Sequence, residues 1–176
     1  MRSADEMTGP DARAGDAANS EGGLSRERDL SLVRRIAFRN RGLAIVATSR
    51  PDGSIQASLV NAGPFQHPVD GRPVVAFVAR PGALKLRHIR RSGRATITFH
   101  AGGEWVTVEG QAELVGPDDP LGGVEPAALP GLLRAVFTAA GGTHDDWPTY
   151  DRVVAEERRV VVLVSCNRVY TSPGRG

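Results

Sequence analysis

The sequence predicts a mainly β fold: a six-stranded antiparallel closed β-barrel that carries a few helices. Short β-rich runs separated by strong turn signals recur along most of the chain. A single two-turn helical stretch follows the third run, and two helical stretches precede the last. Strict parallel winding needs a helical crossover between successive strands, and this chain has too few of them.

Residues 1–24 are rich in Ala, Gly, Ser, Asp and Arg and nearly lack large apolar side chains, so they cannot offset the entropy of ordering. They predict a flexible tail ahead of one domain spanning residues 25–176. The first helix is expected over Ser25–Arg39, where Leu32, Val33 and Ile36 recur at helical spacing and Asn40-Arg41-Gly42 supplies a stop. Leu43–Ser49 reads as a strand, Arg50-Pro51-Asp52-Gly53 as a turn, and Ser54–Val60 as a partner strand alternating Ile55, Ala57 and Leu59 with Ser54, Gln56 and Ser58. Pro73–Ala79 is apolar on every side, which predicts a third strand buried on both faces.

Between Pro81-Gly82 and Ser92-Gly93 there is room for about two turns of helix. A second hairpin follows: Arg94–His100 and Trp105–Val115 about Ala101-Gly102-Gly103, with Gly110 placed as a bulge. Pro126–Ala139 and Tyr150–Arg158 carry apolar residues at helical spacing, and the valine-rich run Arg159–Thr171 is the last strand.

With 176 residues, 40% of them hydrophobic, the chain supports one modest core. A net charge of +2 does not mark a dedicated nucleic-acid binder. The charge is nonetheless segregated. Gly71–Gly103 contains no acid but carries Arg72, Arg80, Lys85, Arg87, Arg90, Arg91 and Arg94, whereas Glu113–Glu157 is strongly acidic, and the two zones are expected to attract each other across a subunit interface. Of the 22 basic residues, all but Lys85 are arginine. A lone lysine points to a place where a compact ammonium serves better than a planar guanidinium, such as a phosphate site; the plainer alternative is an ordinary solvated lysine.

Cys166 is the only cysteine, so no internal disulfide and no cysteine-based zinc site can form, in keeping with a reducing cytosol. No apolar run is long enough to span a bilayer, and the first residues lack the apolar centre of a signal peptide. The expectation is a cytoplasmic protein with no membrane, nucleic-acid or metal partner. Neither a Gly-x-Gly-x-x-Gly loop, nor a Walker loop, nor a Gly-x-Ser-x-Gly elbow occurs, so any difficult chemistry falls to a bound cofactor.

The junction Ala79-Arg80-Pro81-Gly82-Ala83-Leu84-Lys85 runs from strand to helix, where free N–H groups, the positive end of a helix dipole and two cations favour an anionic phosphate. A basic surface helix packed on the barrel is the alternative. Ser58, Leu59, Val60 and Asn61 end the second strand, and their main chain can hydrogen-bond the edge of a flat ring lying nearby. For Ser58 and Asn61 a strand-end role that satisfies the turn competes evenly. Trp105 offers a flat face to a ring, to a dimer interface or to the core.

The segments LAIVATSRPDGSIQASLV, FVARPGALKLRHIRRSGRATITF, WVTVEGQAEL and HDDWPTYDRVVAEERRVVVLV resemble the pyridoxamine 5'-phosphate oxidase-like FMN-binding split-barrel superfamily, and in particular its flavin/deazaflavin oxidoreductase branch. The resemblance implies a split barrel and a homodimer with cofactors in grooves between subunits. It places Lys85 at the phosphate, the Ser58–Asn61 backbone along the ring, Val78 and Ala79 against the ring or ribityl chain, and Trp105 at the far wall. It further implies hydride transfer between coenzyme F420 and a small organic substrate, with the coenzyme's acidic tail along Arg87, Arg90 and Arg91. Relatives often place Arg or Ser just before the lysine; here Ala83 and Leu84 stand there, leaving Arg80 or Arg87 to compensate. The alternatives are FMN on the same fold and a protein that binds its cofactor without turnover.

Overall fold

The computed structural model describes residues 30–171, so the tail expected over 1–24 and the start of the first helix lie outside the described residues. Helix α1 (residues 30–39) buries Val33, Ile36 and Ala37. It stops where the Gly42 N–H donates back to the Ala37 carbonyl at 2.8 Å, with Arg41 and Gly42 in left-handed conformations at φ 48° and 71°. The remaining elements are β1 (Leu43–Ser49), β2 (Ile55–Gln66), β3 (Pro73–Ala79), α2 (Leu84–Ser92), β4 (Arg94–Ala101), β5 (Glu104–Val115), α3 (Leu129–Ala139) after a 3-10 turn at Pro126–Ala128, α4 (Trp147–Glu156), β6 (Val160–Ser165) and β7 (Arg168–Thr171).

All strand pairings are antiparallel, and the order β4-β1-β2-β3-β6-β5 closes through pairing of β4 with β5, giving the six-stranded barrel. The last strand is interrupted. Ala112 faces Val164 and Glu109 faces Arg168, so two residues of β5 oppose three of the facing chain, Ser165, Cys166 and Asn167. The extra residue therefore lies across from Gly110, and the bulge expected at Gly110 is corrected to its partner. The Asn167 Oδ1 accepts the Gln111 N–H at 2.9 Å, replacing the ladder bond the bulge removes.

Two apolar layers hold the fold. Val75, Phe77, Val160, Val162 and Val164 point into the barrel with Val46, Ile97, Phe99, Val106 and Val108. Val74, Ala76, Val161 and Leu163, on the opposite faces of β3 and β6, pack under α3 and α4 against Leu132, Leu133, Val136, Tyr150 and Val154. Covering both faces explains why these two strands lack polar alternation. Helix α4 starts three residues before the expected Tyr150, because Asp146 caps it by accepting the Thr149 N–H at 3.0 Å.

Strand β2 departs furthest from expectation. It extends to Gln66, pairing with β1 through residues 55–61 and with β3 through residues 62–66. On its first half the alternation is inverted: Leu59 is 65% and Ile55 61% exposed, while Gln56 and Ser58 lie on the inward face with Val46 and Thr48 opposite them. Charges of the two zones also meet within the chain. Arg72 pairs with Glu113, Arg80 with Glu157 and Arg90 with Asp119, so these contacts between the basic and acidic zones lie within one chain.

Candidate functional site

The last β2–β3 pair is Ala62 with Phe77. One residue further, Asn61 and Val78 would meet, then Val60 and Ala79, but the strands diverge: β2 continues on β1, and β3 continues on β6. This split leaves Ser58, Leu59, Val60 and Asn61 with one strand neighbour only, so every second residue turns its N–H and C=O toward an edge no strand occupies. Ser58 and Val60 face inward and Leu59 and Asn61 outward. Asn61 is tied down, its Nδ2 donating to the Arg41 carbonyl at 3.0 Å. Gln56, inward on the same row as Ser58, has a buried Oε1 without a partner, an acceptor that sequence reasoning passed over.

At the same end of the barrel, the turn Arg80–Ala83 leads into α2, and no side chain caps the first turn of that helix. Leu86, His88 and Ile89 anchor it, the last-but-one through His88 Nδ1 and the Thr48 hydroxyl at 3.0 Å. Lys85 is half-buried, and burial lowers its ammonium pKa below the usual lysine value. Among the described residues the Lys85 side chain forms no hydrogen bond or ion pair, while Arg80 stands 3.7 Å from Glu157 and is largely exposed. A desolvated cation without a counter-ion beside uncapped N–H groups is an anion receptor.

Two predicted residues do not converge on this place. Arg87 leaves the solvent face of α2, about 200° around the helix from Lys85. Trp105 is three strands away on the same rung as Asn61, about 14 Å at ordinary strand spacing, where its ring meets Tyr170 edge-on at 6.1 Å. Arg90 and Arg91 are not a free cationic track, as the resemblance implied. Arg90 holds Asp119 with two bonds at 2.8 and 2.7 Å, and Arg91 donates to the Ser49 carbonyl at 3.0 Å.

A cavity of about 480 Å³ adjoins the split behind Asn61 and Val78, walled by the end of α3, by α4 and by Arg41. Its aromatic lining, Phe137, Tyr150 and His144, forms a contiguous group with centroids 4.9 and 5.4 Å from Tyr150. The helical spacing marked Phe137 and Tyr150 only as core, and the sequence reads His144 with Asp145 and Asp146 as an acidic loop at a helix start rather than a metal site, which is where it lies, just before α4. Among the described residues, no three of His, Cys, Asp and Glu stand together so as to hold a metal ion, and no helix is long and apolar enough to cross a membrane.

A closed six-stranded antiparallel barrel opened between two strands defines a split barrel. Residues 34–126, just over half the chain, match the pyridoxamine 5'-phosphate oxidase family, and the chain belongs to that family of flavin- and deazaflavin-binding oxidoreductases. Solved structures share the fold at low identity. An F420 reductase is 19% identical with a TM-score of 0.53, over 80% of this chain and 94% of that one. A pyridoxamine 5'-phosphate oxidase-related, FMN-binding protein from Nostoc punctiforme is 14% identical with a TM-score of 0.53, over 84% and 81%. A haem-binding protein from Mycobacterium smegmatis is 21% identical with a TM-score of 0.55, over 84% of this chain and 55% of that one.

Proposed function

We propose that the protein is a homodimeric, F420-dependent oxidoreductase acting on a small organic acceptor. The observation that carries this reading is Lys85, the sole lysine, half-buried without a counter-ion at the start of α2 beside the split. The residues fit a phosphorylated tricyclic coenzyme: the ammonium and first-turn N–H groups for its phosphate, the open β2 edge at Ser58–Asn61 for the polar rim of its ring, and Val78 and Ala79 for its apolar flank. The chemistry contributed by the bound coenzyme is hydride transfer to the acceptor. This chain's residues orient the ring and hold its charge; among the described residues no acid–base pair lies on the split.

The exposed Leu59, Ile55 and Ile45 share the outer face of β1 and β2, an apolar patch that a second subunit would cover. Such a dimer would also bring the partner's copy of the Trp105 surface toward the open edge, giving that tryptophan the role the resemblance implies. FMN is the second reading, favoured by the engagement of Arg90 and Arg91, which leaves fewer cations for a deazaflavin's acidic tail. The protein is titrated with F420, FMN and haem side by side. Saturable F420 binding that is weakened at least tenfold, about 1.4 kcal/mol, by Lys85→Met supports the reading. FMN binding with no F420 binding selects the alternative, and equal affinity in wild type and variant overturns the site.

A further inference from the structure

The cavity behind Asn61 and Val78 has a chemistry of its own. Arg41, Arg159, His144 and Asn61 contribute polar groups to its lining, which contains no carboxylate, while the Tyr150 hydroxyl is turned away to donate to the Leu133 carbonyl at 3.4 Å. Its walls are otherwise Val78, Phe137, Val153 and Val154 with small residues at the end of α3. Gly142 is required there, because a Cβ on it would stand 2.5 Å from the Phe137 ring, and Gly141 would crowd the Arg41 backbone at 3.0 Å. The glycine pair thus lets the chain fold under the aromatic ring and present Arg41 at the rim.

The two guanidinium groups differ. Arg159 is tied to Glu157, whereas the Arg41 side chain forms no hydrogen bond or ion pair among the described residues. The Asp146 N–H donates to His144 Nδ1 at 3.0 Å, which leaves Nε2–H as the donor of the neutral ring. The carboxyl end of α3 opposes an anion with about half a negative charge. Its last carbonyls, however, are turned against Gly42 and Gly63, and a full uncompensated guanidinium outweighs them.

We infer that this cavity binds the acceptor and selects a single-ring aromatic carboxylate, its ring among Phe137, Tyr150 and Val153 and its carboxylate at Arg41 and His144. The inference rests on the proposed function for the identity of the occupant as acceptor, since the cavity shares Asn61 and Val78 with the place given to the coenzyme ring. A volume of about 480 Å³ admits such a ring.

The test uses benzoate and its neutral analogue benzamide, titrated into the full chain while the indole resonance of Trp147 is followed by NMR. Trp147 stands 6.0 Å from His144 and 5.5 Å from Tyr150 between ring centroids, and it is one of only two tryptophans, so Trp105→Phe assigns it. Benzoate is expected to shift this resonance saturably and to bind about tenfold more tightly than benzamide. Arg41→Gln and, independently, His144→Ala are expected to abolish that preference. Equal binding of acid and amide, no binding of either, or an unaltered preference in both variants overturns the inference. F420 and FMN titrations on the same samples separate the outcomes: coenzyme binding without benzoate binding removes this inference alone, and benzoate binding without coenzyme binding removes the coenzyme assignment alone.

Discussion

Gly110 on β5 lies so close to Ser165 that a Cβ on the glycine would stand 1.7 Å from the serine carbonyl oxygen. The contact exists because the β6–β7 bulge pushes the facing backbone toward β5 where that strand exchanges β4 for β6 as its long-range support. Gly110→Ala must move a strand rather than a side chain. The expected loss is about 3 kcal/mol or more, read as a lower urea midpoint at unchanged slope.

Leu59 and Ile45 face each other across β1 and β2 on the outer surface, 65% and 39% exposed. Leu59→Glu is expected to convert a dimer to a monomer by sedimentation while leaving the far-ultraviolet circular dichroism unchanged. A wild type that sediments as a monomer at micromolar concentration would remove the dimer from the proposal.

Lys85 should cost the empty protein stability. Burial lowers its pKa in the folded state, so the charged form is disfavoured at every pH below that folded value, and the penalty fades only as pH rises from there toward the unfolded value near 10.5. Lys85→Met is therefore expected to raise the melting temperature of the coenzyme-free protein by about 2–4 °C at neutral pH while weakening coenzyme binding. A lower melting temperature would mean that the ammonium has a stabilising partner.

Glu104 fastens α1 to the start of β5 through Arg35 at 2.7 Å and through Arg39. Hydrogen bonds from Arg35 first and Arg39 second hold its carboxyl below the usual value of 4.5. A depressed carboxyl contributes stability that is present above that value and is lost as pH falls through the folded one. The protection factors of amides in residues 30–39, corrected for the intrinsic pH dependence of exchange, are expected to fall as pH is lowered below 4.5 through the folded carboxyl's range, and Glu104→Gln should remove that pH dependence along with the extra protection at neutral pH.

Much of this molecule is legible in local patterns. The turn at Pro51-Asp52-Gly53 forms as its residues dictate, with Asp52 Oδ1 accepting the Ser54 N–H at 2.9 Å and Gly53 at φ 84°. Apolar runs without alternation marked β3 and β6 as covered on both faces, and the lone lysine, the strand-to-helix junction and the cofactor family were all readable in the primary structure. Such features depend on a few neighbouring residues and on composition, so a linear reading captures them.

Tertiary structure decided the rest, because it depends on which strands part company. The alternation of Ile55, Ala57 and Leu59 specifies a two-faced strand but not which face meets the core, and here the apolar face turns outward. Likewise Asn61 and Val78 are brought to one opening only because β2 and β3 diverge after Ala62 and Phe77. Arg41, Phe137, His144 and Tyr150, far apart in the chain, become one cavity through the close seat of α3 against Gly42 and Gly63. Local propensity determines elements; closure of the barrel and close backbone approach determine what they surround.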